Sequence, residues 1–196
     1  MTKIRNLLLA GVLGYGLSVS AAELLIDQSH SEVGFSVKHL MISNVKGKFK
    51  DYDGDINFDV KTKTFNSFDA IVNAATIDTG IDKRDEHLRS ADFFEVTKYP
   101  EIKFIMKSYE KKSDTNGVLK GDITIRGISK PVEFNVTING MVKDMSGKTK
   151  IGFTLDGQIN RKDFGLNWNK ALELGGVTVG DEVKLMAEIQ AVVIED

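Results

Sequence analysis

Few residues in this chain could do chemistry, and their spacing excludes most familiar sites. There are three histidines, His30, His39 and His87, and no cysteine. His30 and His39 flank a strand-like stretch nine residues apart, about 30 Å at full extension. They match no compact ligand motif, and no thiolate can complete a metal site. "HSE" at His30–Glu32 puts a serine beside a histidine, but no G-x-S-x-G elbow surrounds it. The Gly-rich "LGGVTVGDE" lacks the Lys-Ser/Thr ending of a phosphate loop and runs into a strand. Asp53 and Asp55 stand in "DYDGD", where turn carboxylates are ordinarily solvated. No metal or cofactor is implied, and an enzyme is not expected.

Two charged stretches remain. "RDEHLRSADFFEVTKYPEIKF" opens with Arg84, His87 and Arg89 among Asp85, Glu86 and Asp92, then Phe93 and Phe94. One reading is a loop closing a mouth, with its charges paired among themselves and the two phenylalanines as apolar pegs. The other gives Arg84 or Arg89 a polar or phosphate head group, whose geometry suits guanidinium. "NRKDFGLNW" is of the same kind. It pairs Arg161 with Asp163 and places Trp168, the only tryptophan, at the end of an architecture.

The surrounding segments fix what that architecture is. Val33, Phe35 and Val37 alternate with polar neighbours. So do Leu119, Ile123 and Ile125; Val132, Phe134, Val136 and Ile138; Ile151, Phe153, Leu155 and Ile159; and Val183, Leu185, Ala187, Ile189, Ala191 and Val193. A period of two puts each set on one face of a strand. "KGKFKDYDGDINFD", "FDAIVNAATI" and "EIKFIMKS" bring the total to eight or nine strands. "DYDGD", Asn116–Gly117 and Asn139–Gly140 are hairpin signals, and Asp144–Lys148 reads as a short loop. Antiparallel strands with one apolar face each predict an all-β, closed barrel of about eight strands. One or two short helices, in the two charged stretches, sit at a barrel end.

Composition bounds the rest. At 196 residues there is room for one domain with a real core. Hydrophobic residues make up 41%, charged residues 28%, and the formal charge is −2. Nothing here is a footprint for nucleic acid. Lys3 and Arg5, the apolar run Leu7–Leu17 and the small residues of "SVSAA" form the three parts of a secretory signal peptide. The run is too short to span a bilayer, so no stable membrane insertion is expected once residues 1–22 are removed. Cleavage is expected after Ala22, with Ala21 as the alternative. The remaining domain, residues 23–196, would carry 24 basic against 28 acidic residues. It would be exported to the periplasm without disulfides.

Four blocks carry a resemblance: "DQSHSEVGFSVKHLMISNVKGKF", "IDTGIDKRDEHLRSADFFEVTKYPEIKF", "LKGDITIRGISKPVEF" and "INRKDFGLNWNKALELGGVTVGDEVKLMAEIQA". In this order they resemble the YceI-like family, from Asp27 to about Ala191. The resemblance implies an extended lipocalin-like barrel whose internal hydrophobic channel holds a polyisoprenoid or other long-chain, fatty amphiphile. It also implies a periplasmic location and, in some members, a homodimer.

An apolar chain is held by area. Each buried CH₂ contributes about 0.8 kcal/mol, so a prenyl unit grosses roughly 3–4 kcal/mol, less the loss from ordering the chain. The inward rows are then the candidate ligand wall: Val33, Phe35, Val37, Phe104, Met106, Ile123, Ile125, Phe134, Val136, Phe153, Leu155 and Leu185. Arg84, Arg89, Phe93, Phe94 and Trp168 are candidates at the mouth. Each inward residue is also, on its own, ordinary core. Carriage or storage of a lipid, chemistry on that lipid by a hydrolase or isomerase, and a self-filled barrel serving in stress or interaction are the functions to be separated.

Overall fold

Alternation along the strands becomes a wall because each inward side chain needs partners from its neighbours across the barrel. The computed structural model describes residues 21–171 and 177–194, so the leader-like stretch at 1–20 lies outside the described residues. Eleven strands are present: β1 (Ala21–Ile26), β2 (Glu32–His39), β3 (Ser43–Phe49), β4 (Tyr52–Asp59), β5 (Thr64–Asn73), β6 (Ile77–Asp78), β7 (Glu101–Lys111), β8 (Asn116–Ile125), β9 (Ile128–Lys143), β10 (Thr149–Asn160) and β11 (Val179–Ile194). One helix, α1, spans Asp82–Arg89.

Eleven strands make eight staves. β1 and β2 pair with opposite ends of β11, so they are one stave broken at the 3₁₀ turn Gln28–His30. β3 and β4 are a second stave, bent at Lys50–Asp51. β5 and β6 are a third, bent at the 3₁₀ turn Ala74–Thr76. β7 to β11 follow in order, and pairing of β1 with β11 closes the ring. All pairings are antiparallel, as expected for short connections.

Two expected hairpins are instead features of strand interiors. Gly54 of "DYDGD" lies inside β4, opposite Ala70, and the chain turns a corner just before it. Asn139–Gly140 lies inside β9, where Gly152 pairs with Gly140 but Phe153 pairs with Ile138. Asn139 is therefore the extra residue of a β-bulge, and Gly140 takes its φ of 144°. A bulge adds the local twist that a closing sheet needs. Asn116–Gly117 opens β8, and the hairpin turn is made by the residues just before it, where Lys112 and Ser113 donate to Asn116 O.

The break between β1 and β2 is held by one carboxylate. Asp27 accepts from Ser29 N, Lys150 Nζ and Gln190 Nε2 at 3.1–3.2 Å and meets His30 Nδ1 at 3.0 Å. Burial raises the Asp27 pKa, but the bonds from Lys150, His30 and Gln190 outweigh it, so the carboxyl titrates below its ordinary value. A depressed folded pKa means stability that is present above the unfolded value of 3.8 and lost as pH falls through the folded one. Asp27→Ala is therefore expected to lower the melting temperature at pH 7. The gap to the parent protein should narrow below pH 3.8 in a thermal melt series; a gap independent of pH would contradict this role.

Candidate functional site

The two halves of the barrel are filled differently. One end carries the turns after β4, β7 and β9, and its interior is solid. Phe65 is the hub there, with ring centroids 4.9 Å from Phe58, 5.3 Å from Tyr109 and 5.3 Å from Phe153. Phe58 and Phe153 have no exposed surface at all. Leu24, Ile56, Leu119, Val136 and Ile151 complete this plug.

Toward the other end, the wide one, the inward side chains leave space between them. Val33, Phe35 and Val37 of β2 and Val183, Leu185 and Ala187 of β11 face inward, yet are only partly buried. They face Phe104, Ile123, Ile125, Phe134, Leu155 and Ile159 across a cavity of about 200 Å³. A water needs only about 10–15 Å³. Three rings that shape the wall lie over glycines on the next strand, Phe104 over Gly121 among them. A Cβ at Gly47 would come within 2.5 Å of Phe35, and one at Gly157 within 2.6 Å of Phe134. Glycine at those points lets each ring lie along the wall instead of crossing the opening.

A cap closes the wide end. It consists of α1, the following turn Ser90–Pro100, the 3₁₀ turn Arg161–Phe164 and the segment after it. Leu88, Phe93, Phe94 and Leu166 form its apolar underside and line the cavity. Phe93 packs beside Trp168, with ring centroids 5.5 Å apart, and the His87 ring stands edge-on to both. His87 Nε2 meets Asp92 at 2.9 Å.

The four arginines among the described residues all hold this cap, chiefly through main-chain carbonyls. Arg84 donates to Thr79 Oγ1 at 2.7 Å and Thr79 O at 2.8 Å. Arg89 donates to Ala75 O at 2.7 Å and Ile77 O at 2.8 Å. Arg126 reaches Gly165 O, Ala91 O and Glu95. Arg161, only 3% exposed, donates to Gly180 O, Leu166 O, Trp168 O, Val179 O and Asp181. Its ion pair is with Asp181 at 3.3 Å, not with Asp163. Burial lowers its pKa and Asp181 raises it, with a net shift downward. Buried Asp85 accepts from Thr79 N and Thr79 Oγ1.

The sequence-derived candidates divide accordingly. Val33, Phe35, Val37, Phe104, Ile123, Ile125, Phe134, Leu155, Leu185, Phe93 and Phe94 line the cavity. Val136 and Phe153 belong to the solid plug, and Met106 packs against the core beside a bulge in β7. Trp168 backs Phe93 without reaching the cavity, and Arg84 and Arg89 brace the β5–β6 corner. The loop charges pair mostly with carbonyls instead of with each other. Leu88, Ile102, Leu166 and Ala187 also line it; Ile102 and Ala187 carried a period-two signal, and the two leucines of the cap did not. Among the described residues no group of three His, Cys, Asp or Glu side chains is placed to hold a metal. The polar lining is confined to Tyr52, Asp53, Lys103 and Arg161. Burial, with the nearby charge of Glu32, pushes the Tyr52 phenol above its ordinary value.

Four substitutions separate plug, wall and cap. Phe153→Ala empties packed space and should destabilise by about 3–5 kcal/mol. Phe35→Ala enlarges a void that already exists and should cost only about 1–2 kcal/mol. Arg161→Met takes the arginine's donors from the carbonyls of Gly180, Leu166 and Trp168, while Val179 O keeps Asn169, and should cost about 3 kcal/mol or more, with Arg161→Lys between it and the parent. Urea denaturation ranks all four; equal losses for the two phenylalanines would mean the wide half is packed solid.

A family model described as YceI-like domain matches residues 25–191. A UPF0312 protein of Staphylococcus epidermidis is 39% identical over 165 residues, 84% of this chain and 94% of that protein. The crystal structure of a Campylobacter jejuni YceI protein superposes with a TM-score of 0.71 at 40% identity, covering 85% of this chain and 95% of that one. BcnA of Burkholderia cenocepacia has a TM-score of 0.73 at 20% identity, over 85% and 99% of the two chains. A polyisoprenoid binding domain from Saccharophagus degradans reaches 0.58 at 13% identity, over 89% and 99%. The last two likenesses concern the fold alone. A family model spanning nearly all of the barrel, and relatives near 40% identity along its length, place this chain in the YceI-like family.

Proposed function

We propose that the protein is a non-catalytic carrier or store for a long-chain amphiphile of polyisoprenoid or fatty type, held tail-inward in the capped half of the barrel. The observation that carries this is the unfilled apolar cavity of about 200 Å³. At about 24 cal/mol per Å³, a vacant apolar void of that size costs about 5 kcal/mol. A sequence able to plug one half of the barrel with phenylalanine leaves the other half open. The polyisoprenoid binding domain of Saccharophagus degradans shares the fold and supports the ligand class. The arginines bind carbonyls of the cap, so the recognised part is the tail, with the head group left near the rim. Chemistry on the ligand would need a polar dyad aimed into the cavity, and the acid and bases of its lining belong to the wall and cap.

Export to the periplasm belongs to the same proposal. Glu23, the first residue after the expected cleavage, is also the first of β1 to pair with both neighbours, Asn57 and Ile194. N-terminal sequencing of protein released by osmotic shock should begin at Glu23 or Ala22; an intact Met1 in the cytosolic fraction would refute export.

Native mass spectrometry of protein purified from cells is the direct test of carriage. A co-purified lipid of defined mass is expected, and it should be missing from Ala187→Phe, which puts a ring into the cavity. A purified isoprenoid alcohol at 100 times its Kd should add about 2.7 kcal/mol, a rise in Tm of about 5–10 °C. Ligand-free protein from cells together with no thermal shift from any isoprenoid or fatty alcohol would overturn carriage and leave a hollow structural barrel.

A further inference from the structure

The turn joining β2 to β3 is built against its own backbone preferences. Leu40 and Met41 both have positive φ, 49° and 63°. His39 O accepts from Ile42 N at 3.2 Å, closing the turn. Two successive left-handed residues are normally Asn and Gly, as the φ > 0 positions of a tight hairpin require. Bulky side chains there carry strain. The β8–β9 hairpin of this same barrel uses Arg126–Gly127 for the purpose. The strain at 40–41 holds out an apolar triplet: Leu40 is 37% exposed, Met41 52% and Ile42 83%.

The part of this hairpin beyond its base has one sign of charge. From Val33 to Phe49 it carries Lys38, Lys46 and Lys48, in a chain whose formal charge is −2, and the one acid of the two strands, Glu32, stands at the base. Lys48 pairs with Glu32 and Lys50 with Asp78, both away from the tip. Lys38 and Lys46, the two nearest the tip, are exposed and in no ion pair among the described residues. Their register partners, Asn44 and Ser36, show that both point outward. The tip also adjoins the cavity. Val37 lines it three residues before Leu40, Leu40 N donates to Thr178 O at 2.9 Å, and Val179 lines it as well.

We propose that the β2–β3 hairpin is a membrane-docking element: Leu40, Met41 and Ile42 enter the acyl boundary of an anionic lipid surface while Lys38 and Lys46 meet its head groups, bringing the cavity to the bilayer. An apolar tip flanked by lysines is the pattern of shallow interfacial binding. Three side chains are too little for a stable protein interface, which buries about 800 Å² on each partner. The purpose of docking rests on the carrier reading above; docking itself does not.

Sedimentation with vesicles tests it, using protein as processed in the cell. Phosphatidylglycerol–phosphatidylcholine vesicles at low salt should pull down the parent protein, and phosphatidylcholine alone should not. Each lysine contributes about fivefold near an anionic surface, so K38Q/K46Q should lose on the order of tenfold or more in partition. L40S/M41S/I42S should lose binding on every vesicle. Thermal-shift binding of an isoprenoid alcohol in solution should be unchanged in both variants. That readout certifies their fold and keeps a docking failure distinct from a carrier failure. Ile42→Trp adds a second signal, a blue-shifted, quencher-protected emission on adding anionic vesicles. Parent protein that stays in the supernatant, a triple variant that sediments like the parent, or an unshifted tryptophan at position 42 would each overturn the proposal. Loss of a stable protein complex by the triple variant, with no vesicle binding by the parent, would assign the tip to a protein partner instead.

Discussion

An open apolar cavity survives only if nothing above it can fall in, and here that depends on arginine. A closed ring of eight staves fixes the interior volume by geometry. The cap over the wide end is irregular chain, whose carbonyls have no ladder to satisfy them. Arg84, Arg89, Arg126 and Arg161 supply the missing donors. A guanidinium carries five donors in a fixed plane and keeps its charge under burial, which lysine cannot match. The lysines on the described surface make mostly exposed pairs, such as Lys48–Glu32 and Lys103–Glu101. Such pairs contribute little to stability.

The cap's hydrogen bonds keep the cavity lining apolar. Charged groups beside an apolar void would ordinarily draw water or an ion into it. Arg161 borders the cavity with every polar hydrogen directed away toward main-chain oxygens or Asp181. The void therefore presents carbon on nearly all sides. The phenylalanine plug around Phe65 gives this space a floor, which makes the interior a blind pocket and not a through-channel. Phe68 and Phe104, whose ring centroids lie 6.1 Å apart, line the cavity beside this floor.

The three broken staves serve the same end. Asp27, Lys50–Asp51 and Ala74–Thr76 lie where β1/β2, β3/β4 and β5/β6 change direction. Beyond these corners β2 and β3 supply Val33, Phe35, Val37 and Phe49 to the cavity wall. Gly47 and Gly157 then admit Phe35 and Phe134 along the wall. The same two strands run on to the strained tip at Leu40–Met41, so one hairpin holds both cavity wall and tip.

Period-two alternation was enough to read strand identity, the closed all-β class and most of the cavity wall from the residues alone, because inward positions are fixed by the pleat. The family was legible too, in four ordered blocks. Three things were not. Asn139–Gly140 looks like a hairpin in one dimension, and only the pairing of β9 with β10 makes it a bulge. Phe153 and Phe35 have the same local pattern, yet one is floor and the other wall; which of them meets a void depends on height along the barrel axis, and that is set by register between strands far apart in sequence. Arg84 and Arg89 look ready for a phosphate until the fold brings the carbonyls of Ala75, Ile77 and Thr79 within reach. The sequence determines which face of each strand turns inward, a matter of nearest neighbours along the chain. Tertiary structure alone decides where the interior stays empty, because emptiness belongs to the volume enclosed by all the staves together.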